Sequence, residues 1–411
     1  MWLYNIGIVI YTKCIGLAAA WYPKARLWRD GRRDLFERMA AAVRPEDRIV
    51  WVHVASLGEF EQGRPIIEKI RELHPEYKIF LTFFSPSGYE IRKNYAGADY
   101  IFYLPADTPS NARRFLDIVH PEIAIFVKYE FWINLLTELR LRKIRTYIVS
   151  SIFRRNSVFF RFYGSIWRRA LKSFDTIFVQ NGESAKLLAE IGFGNVVVAG
   201  DSRFDRVAQI AAQAKKIDLI DRFRGSGRLF VAGSTWEPDE DILLQLINDN
   251  PSVKFIIAPH EMDEKRIERI LAETKGGALR YTCCTPLTSF GSKQVLVLDT
   301  VGLLSSVYGY ATWAYIGGGF GVGIHNTLEA ATFGLPIAFG PNYQKFKEAR
   351  DLVTLGAASS VIDYKQLSRW FAPLRDNEVF LRKVSRISKD YTVKNQGATD
   401  LFLKTIFGGA K

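Results

Sequence analysis

At 411 residues, 48% hydrophobic and 14% aromatic, the chain has material for about two to three cored domains; its 24% of charged residues exclude wholesale disorder, collagen and coiled coil. Lys+Arg 56 against Asp+Glu 43 leaves +13 at pH 7, which points to anionic partners: nucleic acid, an acidic membrane face or phosphorylated substrates. Three cysteines, Cys14, Cys283 and Cys284, make neither a disulfide framework nor a zinc site and fit a reducing, cytoplasmic setting.

Met1 to Tyr22 is almost wholly apolar, close to the ~20 residues a membrane span needs. Lys24, Arg26, Arg29, Arg32 and Arg33 follow, and the positive-inside rule keeps them and everything downstream in the cytoplasm. Lys13 and Asn5 are costly inside a span. An interfacial anchor, a leader cleaved at Ala18-Ala19-Ala20 and a buried first helix are the alternatives. A membrane anchor over 1–22 is the expectation.

Apolar runs then alternate with helix-like stretches. Ile49–Val54, Tyr77–Thr82, Ile123–Val127, Thr146–Ser150, Thr176–Val179 and Val196–Val198 predict one series of strands. Leu229–Ala232, Lys254–Ile257, Val295–Leu298, Ala314–Ile316 and Pro336–Ala338 predict a second. Continuous apolar strands separated by helices mark parallel sheets covered on both faces. Two doubly wound α/β domains facing a cleft are expected, joined by a polar, helix-prone bridge from Asp205 to Gly227. From Leu139 to Ser173 there are ten basic residues and no acidic one, interleaved with aromatics such as Phe159, Phe162 and Trp167. Arg154, Arg155, Arg161, Arg168 and Arg169 are candidates for phospholipid headgroups, a phosphorylated glycolipid or nucleic acid, against the plainer alternative of a solvated cationic helix.

Five blocks carry candidate chemistry. His53-Val54-Ala55-Ser56-Leu57-Gly58-Glu59 puts a carboxylate at the carboxyl edge of a sheet, where open α/β folds bind ligands. Glu59 there is either a general base or a helix-dipole partner. Lys128-Tyr129-Glu130-Phe131-Trp132-Ile133-Asn134 supplies a second carboxylate, and Gly200-Asp201-Ser202-Arg203 a cation suited to a phosphate leaving group. Gly233-Ser234-Thr235 is a strand-to-helix turn whose hydroxyls and amides can bind an anion. Gly317 to Gly323 holds five glycines in seven positions and leads into His325-Asn326-Thr327-Leu328-Glu329. Its density suggests close approach of backbone, Gly318 and Gly319 included, to an anionic ligand, with Glu329 accepting from ribose hydroxyls, against the alternative of a glycine-rich structural turn without ligand, wasteful entropically at this density. It is neither a dinucleotide fingerprint nor a Walker A. No Asp-x-Asp motif stands in a sensible place and the five histidines form no cluster, so neither metal nor cofactor is expected.

In order, these blocks resemble the lipid A Kdo transferases, the 3-deoxy-D-manno-octulosonic acid transferases of lipopolysaccharide assembly. The resemblance implies a GT-B fold: an anchor over 1–22, a Rossmann-like acceptor domain over 23–205, a CMP-sugar donor domain over 206–390 and a C-terminal helix over 391–411 crossing back. It implies transfer of Kdo from CMP-Kdo to a lipid A precursor at the cytoplasmic face of the inner membrane, on anionic lipids, with no nucleic acid. Glu59 matches the family's proton acceptor, Glu130 its second carboxylate, and Arg203 stands where the family usually has Lys. The CMP contacts fall on Pro259 and His260, on Val301, Gly302 and Leu303, and on Asn326 through Glu329. Two departures stand out: Pro259-His260-Glu261 replaces Pro-Arg-His, and Gly302-Leu303 replaces Gly-Glu. Another GT-B transferase or epimerase on a different nucleotide sugar is the alternative within enzymes; a basic nucleic-acid-binding protein is the alternative outside them.

Overall fold

The computed structural model describes residues 1–408, in two compact units: Met1–Arg206 together with the chain from Gln396 onward, and Val207–Asn395. The first unit begins with three helices, α1 (Trp2–Ala18), α2 (Pro23–Asp30) and α3 (Leu35–Ala42). Strand β1 (Ile49–Val54) and helix α4 (Leu57–Leu73) follow, then β2 (Lys78–Phe83), β3 (Tyr100–Tyr103), β4 (Ile123–Val127), β5 (Arg145–Ser151), β6 (Thr176–Val179) and β7 (Val196–Val198). All pair in parallel, in the order β3-β2-β1-β4-β5-β6-β7.

Every residue of β1 and of β4 is buried, because side chains alternate between two helix-covered faces. Trp51 and Phe126 pack with Phe80 and Phe115 on one face. Val50, Val52 and Ile125 pack with Leu81, Phe178 and Phe402 on the other. The chain order reverses between β1 and β4, and the carboxyl ends of those two strands open the crevice where such sheets bind ligands.

The second unit repeats the plan with β8 (Leu229–Thr235), β9 (Lys254–Pro259), β10 (Ala278–Arg280), β11 (Val295–Val297), β12 (Trp313–Ile316), β13 (Ile337–Phe339) and β14 (Ala358–Ser360). Its parallel order is β10-β11-β9-β8-β12-β13-β14, so its reversal point lies between β8 and β12. The strands β3, β10 and β14 were not among those expected. They are short and lie at or next to sheet edges, where half-buried sequences such as Ala278–Arg280 carry no continuous apolar run.

Two expected elements change. The helix expected over 391–411 is two helices, Glu378–Lys394 and Ala398–Phe407, separated at Gly397 with φ 103°; the last three expected residues lie outside the described ones. The Asp205 carboxylate accepts from the amides of Gly397 and Thr399 and from the Thr399 hydroxyl. Phe402 packs on Phe178 at 4.9 Å and on Tyr147, which returns the final helix to the first sheet. The first helix also differs. No helix among the described residues is long and apolar enough to cross a membrane. Helix α1 docks on its own unit instead: Tyr4 donates to Asp107 at 2.6 Å, Asn5 accepts from Asn134 at 2.9 Å, and Tyr11 stacks on Phe84.

Candidate active site

In the first unit the site is built at the β1–β4 reversal. Ser56 ends the extended segment after β1, and Glu59 sits in the first turn of α4. Its carboxylate reaches back to accept the Ala55 amide at 2.6 Å. A helix N-terminus and that hydrogen bond favour the anion. Burial opposes them and is the larger effect; with the nearby charge of Glu130 it raises the Glu59 pKa above its ordinary 4.5. The bond to the Ala55 amide is that of a carboxylate at a helix start, and the direction of the shift is the one a base needs.

Glu130 lies past β4, where Lys128 takes a left-handed φ of 71°, a strained turn for a residue with a side chain. Its carboxylate is held from two sides. Trp132 Nε1 donates to Oε2 at 2.7 Å, and His53 Nε2 lies 3.0 Å from the same oxygen. His53 is fully buried, and its Nδ1 is 2.8 Å from the Thr82 hydroxyl. That hydroxyl accepts Trp51 Nε1–H at 2.8 Å, and its own proton is free to be donated to His53 Nδ1. In the tautomer protonated on Nε2, His53 donates to Glu130; Trp132 Nε1 lies 3.0 Å from the same ring nitrogen. A buried chain, Trp51 to Thr82 to His53 to Glu130, aims one carboxylate. Sequence reasoning quoted His53 and Trp132 without seeing this role, and missed Thr82, which is adjacent only through β1–β2 pairing.

Asp201 and Arg203 follow β7. Arg203 Nε and Nη2 lie 2.9 and 2.8 Å from Asp201 Oδ2, so the guanidinium is oriented and its charge partly balanced. Tyr129, its pKa raised by burial, feels Arg154, Asp201 and Glu59, which brings these groups to one edge. The expected surface arginines therefore separate. Arg154 belongs to the carboxylate edge, Arg155 pairs with Glu190 at 2.9 Å, and Arg168 donates to the carbonyls of Phe159 and Arg161. Arg161 and Arg169 are exposed.

The second unit gathers the other candidates at the β8–β12 reversal. Pro259 ends β9; the His260 ring after it stacks on His325 at 4.3 Å and packs at a tilt against Trp236 at 4.9 Å. Trp236 Nε1 donates to His325 Nε2 at 3.2 Å, and burial, then His260, lowers the His325 pKa. The Glu329 carboxylate accepts Ser305 at 2.6 Å and Asn326 at 3.0 Å. Ser305 lies just beyond Val301, Gly302 and Leu303, so that turn and the Asn326–Glu329 segment converge. The Thr327 hydroxyl is buried without a partner. Trp236, Ser305 and the two stacked histidines are contacts that spacing along the chain did not reveal.

Two expectations about loops need correction. The glycine density after β12 is spent on the protein itself: a Cβ on Gly317 would meet the Ser234 carbonyl at 2.2 Å and one on Gly319 the Gly340 backbone at 2.5 Å. The Gly318 amide donates to Asp239, which also accepts Tyr315 and the Trp236 amide. The Gly317, Gly321 and Gly323 amides bond backbone carbonyls. These four amides are not phosphate donors, and the helix beyond, Leu328–Ala331, has only four residues. Likewise the Thr235 hydroxyl donates to Glu240, itself paired with Arg266 at 2.5 Å, so it serves packing rather than an anion. Among the described residues no group of three or more His, Cys, Asp or Glu could hold a metal ion.

Residues 33–206 match the family model described as 3-Deoxy-D-manno-octulosonic-acid transferase (kdotransferase). The chain is 29% identical to the 3-deoxy-D-manno-octulosonic acid transferase of Aquifex aeolicus, over 74% of this chain and 79% of that one. To its namesake from Bordetella pertussis it is 27% identical, over 91% and 92%. Among solved structures it resembles the UDP-GlcNAc 2-epimerase of Neisseria meningitidis bound to UDP-GlcNAc, with TM-score 0.63 and 13% identity over 88% of this chain and 100% of that one. MurG of Acinetobacter baumannii aligns with TM-score 0.54 and 12% identity over 88% and 99%. At such identities these two show the fold alone: two parallel-sheet α/β domains.

Proposed function

We propose that the chain is a member of the 3-deoxy-D-manno-octulosonic acid (Kdo) transferase family, whose model matches residues 33–206 and whose curated members are 29% and 27% identical to it, and that it moves Kdo from CMP-Kdo onto a hydroxyl of a lipid A precursor in lipopolysaccharide assembly. The acceptor oxygen attacks the anomeric carbon while the bond from that carbon to the CMP phosphate oxygen breaks, inverting the centre. Glu59 takes the acceptor's proton, and CMP leaves with the electron pair. A positioned base is worth ~10²–10⁴ in rate. Glu130, aimed by His53 and Trp132, keeps Glu59 basic enough for the task, and Arg203, oriented by Asp201, offers positive charge to the departing phosphate. The observation that carries this reading is the Glu59 carboxylate, bonded to the Ala55 amide at the topological switch point of the first sheet.

On the second unit, the CMP group is assigned to Pro259-His260, the turn Val301–Leu303 and Asn326 through Glu329. The unpartnered Thr327 hydroxyl and a Glu329 carboxylate held in place by Ser305 and Asn326 support that assignment, since ribose hydroxyls donate well to a fixed carboxylate. The protein is assigned to the cytoplasmic face of the inner membrane. Its α1 is tied to the domain by Tyr4 and Asn5 while Trp2, Leu3, Ile6 and Ile10 stay exposed, the pattern of a helix lying in the interface. The test is mass spectrometry of product after incubating pure protein with CMP-Kdo and a tetraacyl lipid A precursor. Gain of whole Kdo residues is expected, and an unmodified acceptor overturns the reading.

A further inference from the structure

Helix α1 does not close completely onto its unit. A cavity of about 220 Å³ lies beneath it, walled by Ile8, Tyr11, Trp28, Phe84 and Trp132. A second cavity, of about 240 Å³, adjoins it and shares Thr12, Trp28 and Ala106 as common walls. The polar groups along the first cavity are already committed. The Thr12 hydroxyl donates to the Ile8 carbonyl, and Asp107 accepts Tyr4 and the amides of Asn134 and Leu135. That lining offers an occupant dispersion and exclusion from water, and little to a sugar or a phosphate. The second cavity adds Arg29, Arg32 and Asn111, which bond to Asp30, to the Leu104 and Phe84 carbonyls and to the Ala106 carbonyl.

Two further observations narrow the occupant. The ring of Trp132, whose indole N–H holds Glu130 Oε2 at 2.7 Å, forms part of the cavity wall. One side chain therefore touches both the apolar space and Glu130, so a molecule lodged there lies one side chain away from that carboxylate. The Trp28 indole N–H, in the wall common to both cavities, is buried without a partner. A buried orphan donor is costly, and an oxygen carried on the occupant would satisfy it. The outer side of α1, Trp2, Leu3 and Ile10 among it, is exposed and apolar, which suits entry from a lipid surface.

We propose that the paired cavities beneath α1 seat a fatty-acyl chain of the acceptor lipid, so that chain and hydroxyl are positioned together. This rests on the lipid-acceptor reading above. It makes α1 part of the acceptor site rather than a tether alone.

The test uses the full chain in detergent and two arms. In the first, binding of the fluorescent fatty acid cis-parinaric acid is titrated for the parent, for Ala106→Leu and for Thr12→Leu, which fill the shared wall; melting curves identify which variants fold. Saturable binding that a folded variant weakens by at least about tenfold is expected. In the second, kcat/KM is compared for acylated and fully deacylated acceptors. The parent should prefer the acylated one, and either variant should cut that preference by about tenfold or more. Absent or non-saturable parinaric acid binding, binding that both variants leave unchanged, or equal use of the two acceptors by the parent overturns the proposal. Loss of transfer to every acceptor by the parent sinks the transferase reading instead, and the binding arm still decides the cavity.

Discussion

Glu59 is a carboxylate on which opposed influences meet, and their balance makes predictions. Burial and the charge of Glu130 raise its pKa against the Ala55 amide, with His53 and Lys128 helping the amide. Glu59→Gln keeps the size and the hydrogen bond but cannot take a proton, so turnover should fall by at least ~10². Stability should move the other way. A raised pKa means the folded chain holds a proton that the unfolded chain has released, so stability falls as pH rises from the ordinary 4.5 through the raised value. Gln removes that cost; the variant should melt no lower than the parent at pH 7, and the advantage should vanish below pH ~4. A melting point clearly below the parent's at pH 7, with rate spared, would make Glu59 a structural cap. Glu130→Gln removes the like charge, so the acid limb of kcat/KM should shift to lower pH in a pH profile; an unmoved limb assigns it to another group. On the second unit, Glu329→Gln should weaken CMP binding by about 1.5–3 kcal/mol in calorimetry, since a charged acceptor leaves the ribose. An unchanged dissociation constant puts the nucleotide elsewhere.

At the scale of elements, the strands that aim these residues were legible because β1, β4, β8 and β9 are nearly continuous apolar runs, and burial on both faces demands that pattern. The blocks after β1, β4, β7, β8 and β12 were legible for the same reason, as turns at strand ends. What lay outside reach was lateral. Thr82 stands opposite His53 in the β1–β2 register, and only that register turns a threonine in an apolar strand into the hinge of a proton-aiming chain. The glycines after β12 carry two readings in sequence because backbone-to-backbone contact with Ser234 and Gly340 asks for the same residue as a phosphate does. The register makes a prediction. Thr82→Val leaves the Trp51 N–H and His53 Nδ1 buried without their partner, which should cost about 1–3 kcal/mol in urea unfolding and lower kcat as Glu130 loses its aim. Thr82→Ser restores the hydroxyl and should recover both. Full activity in a folded Thr82→Val would leave the chain of hydrogen bonds a packing feature.

The chain carries a net +13 overall, and its basic segment meets an exposed apolar helix face within the first unit. Trp167, in the basic segment, packs edge-on against Tyr4 of α1 at 6.4 Å, so the segment borders the helix whose Trp2 and Leu17 are 69% and 70% exposed; Phe162 within the segment is 94% exposed. An apolar helix face alone holds a protein to a bilayer weakly and so does a basic patch alone; together they hold it stably. The two contributions differ in salt dependence, and that separates them. Replacing Arg155, Arg161 and Arg169 by Ser should remove about 1 kcal/mol each near an anionic surface. Partition onto vesicles of phosphatidylethanolamine and phosphatidylglycerol, read by sedimentation, should then fall by about 10² at low salt. High salt should reduce the parent to the same level, because exposed charges are screened within about 10 Å. Replacing Leu3, Ile6 and Ile10 by Ser should instead lower binding at every salt concentration, and on uncharged vesicles too. Unaltered sedimentation of both variants would mean that neither surface holds the protein to lipid, and the interfacial placement of α1 would fall with it.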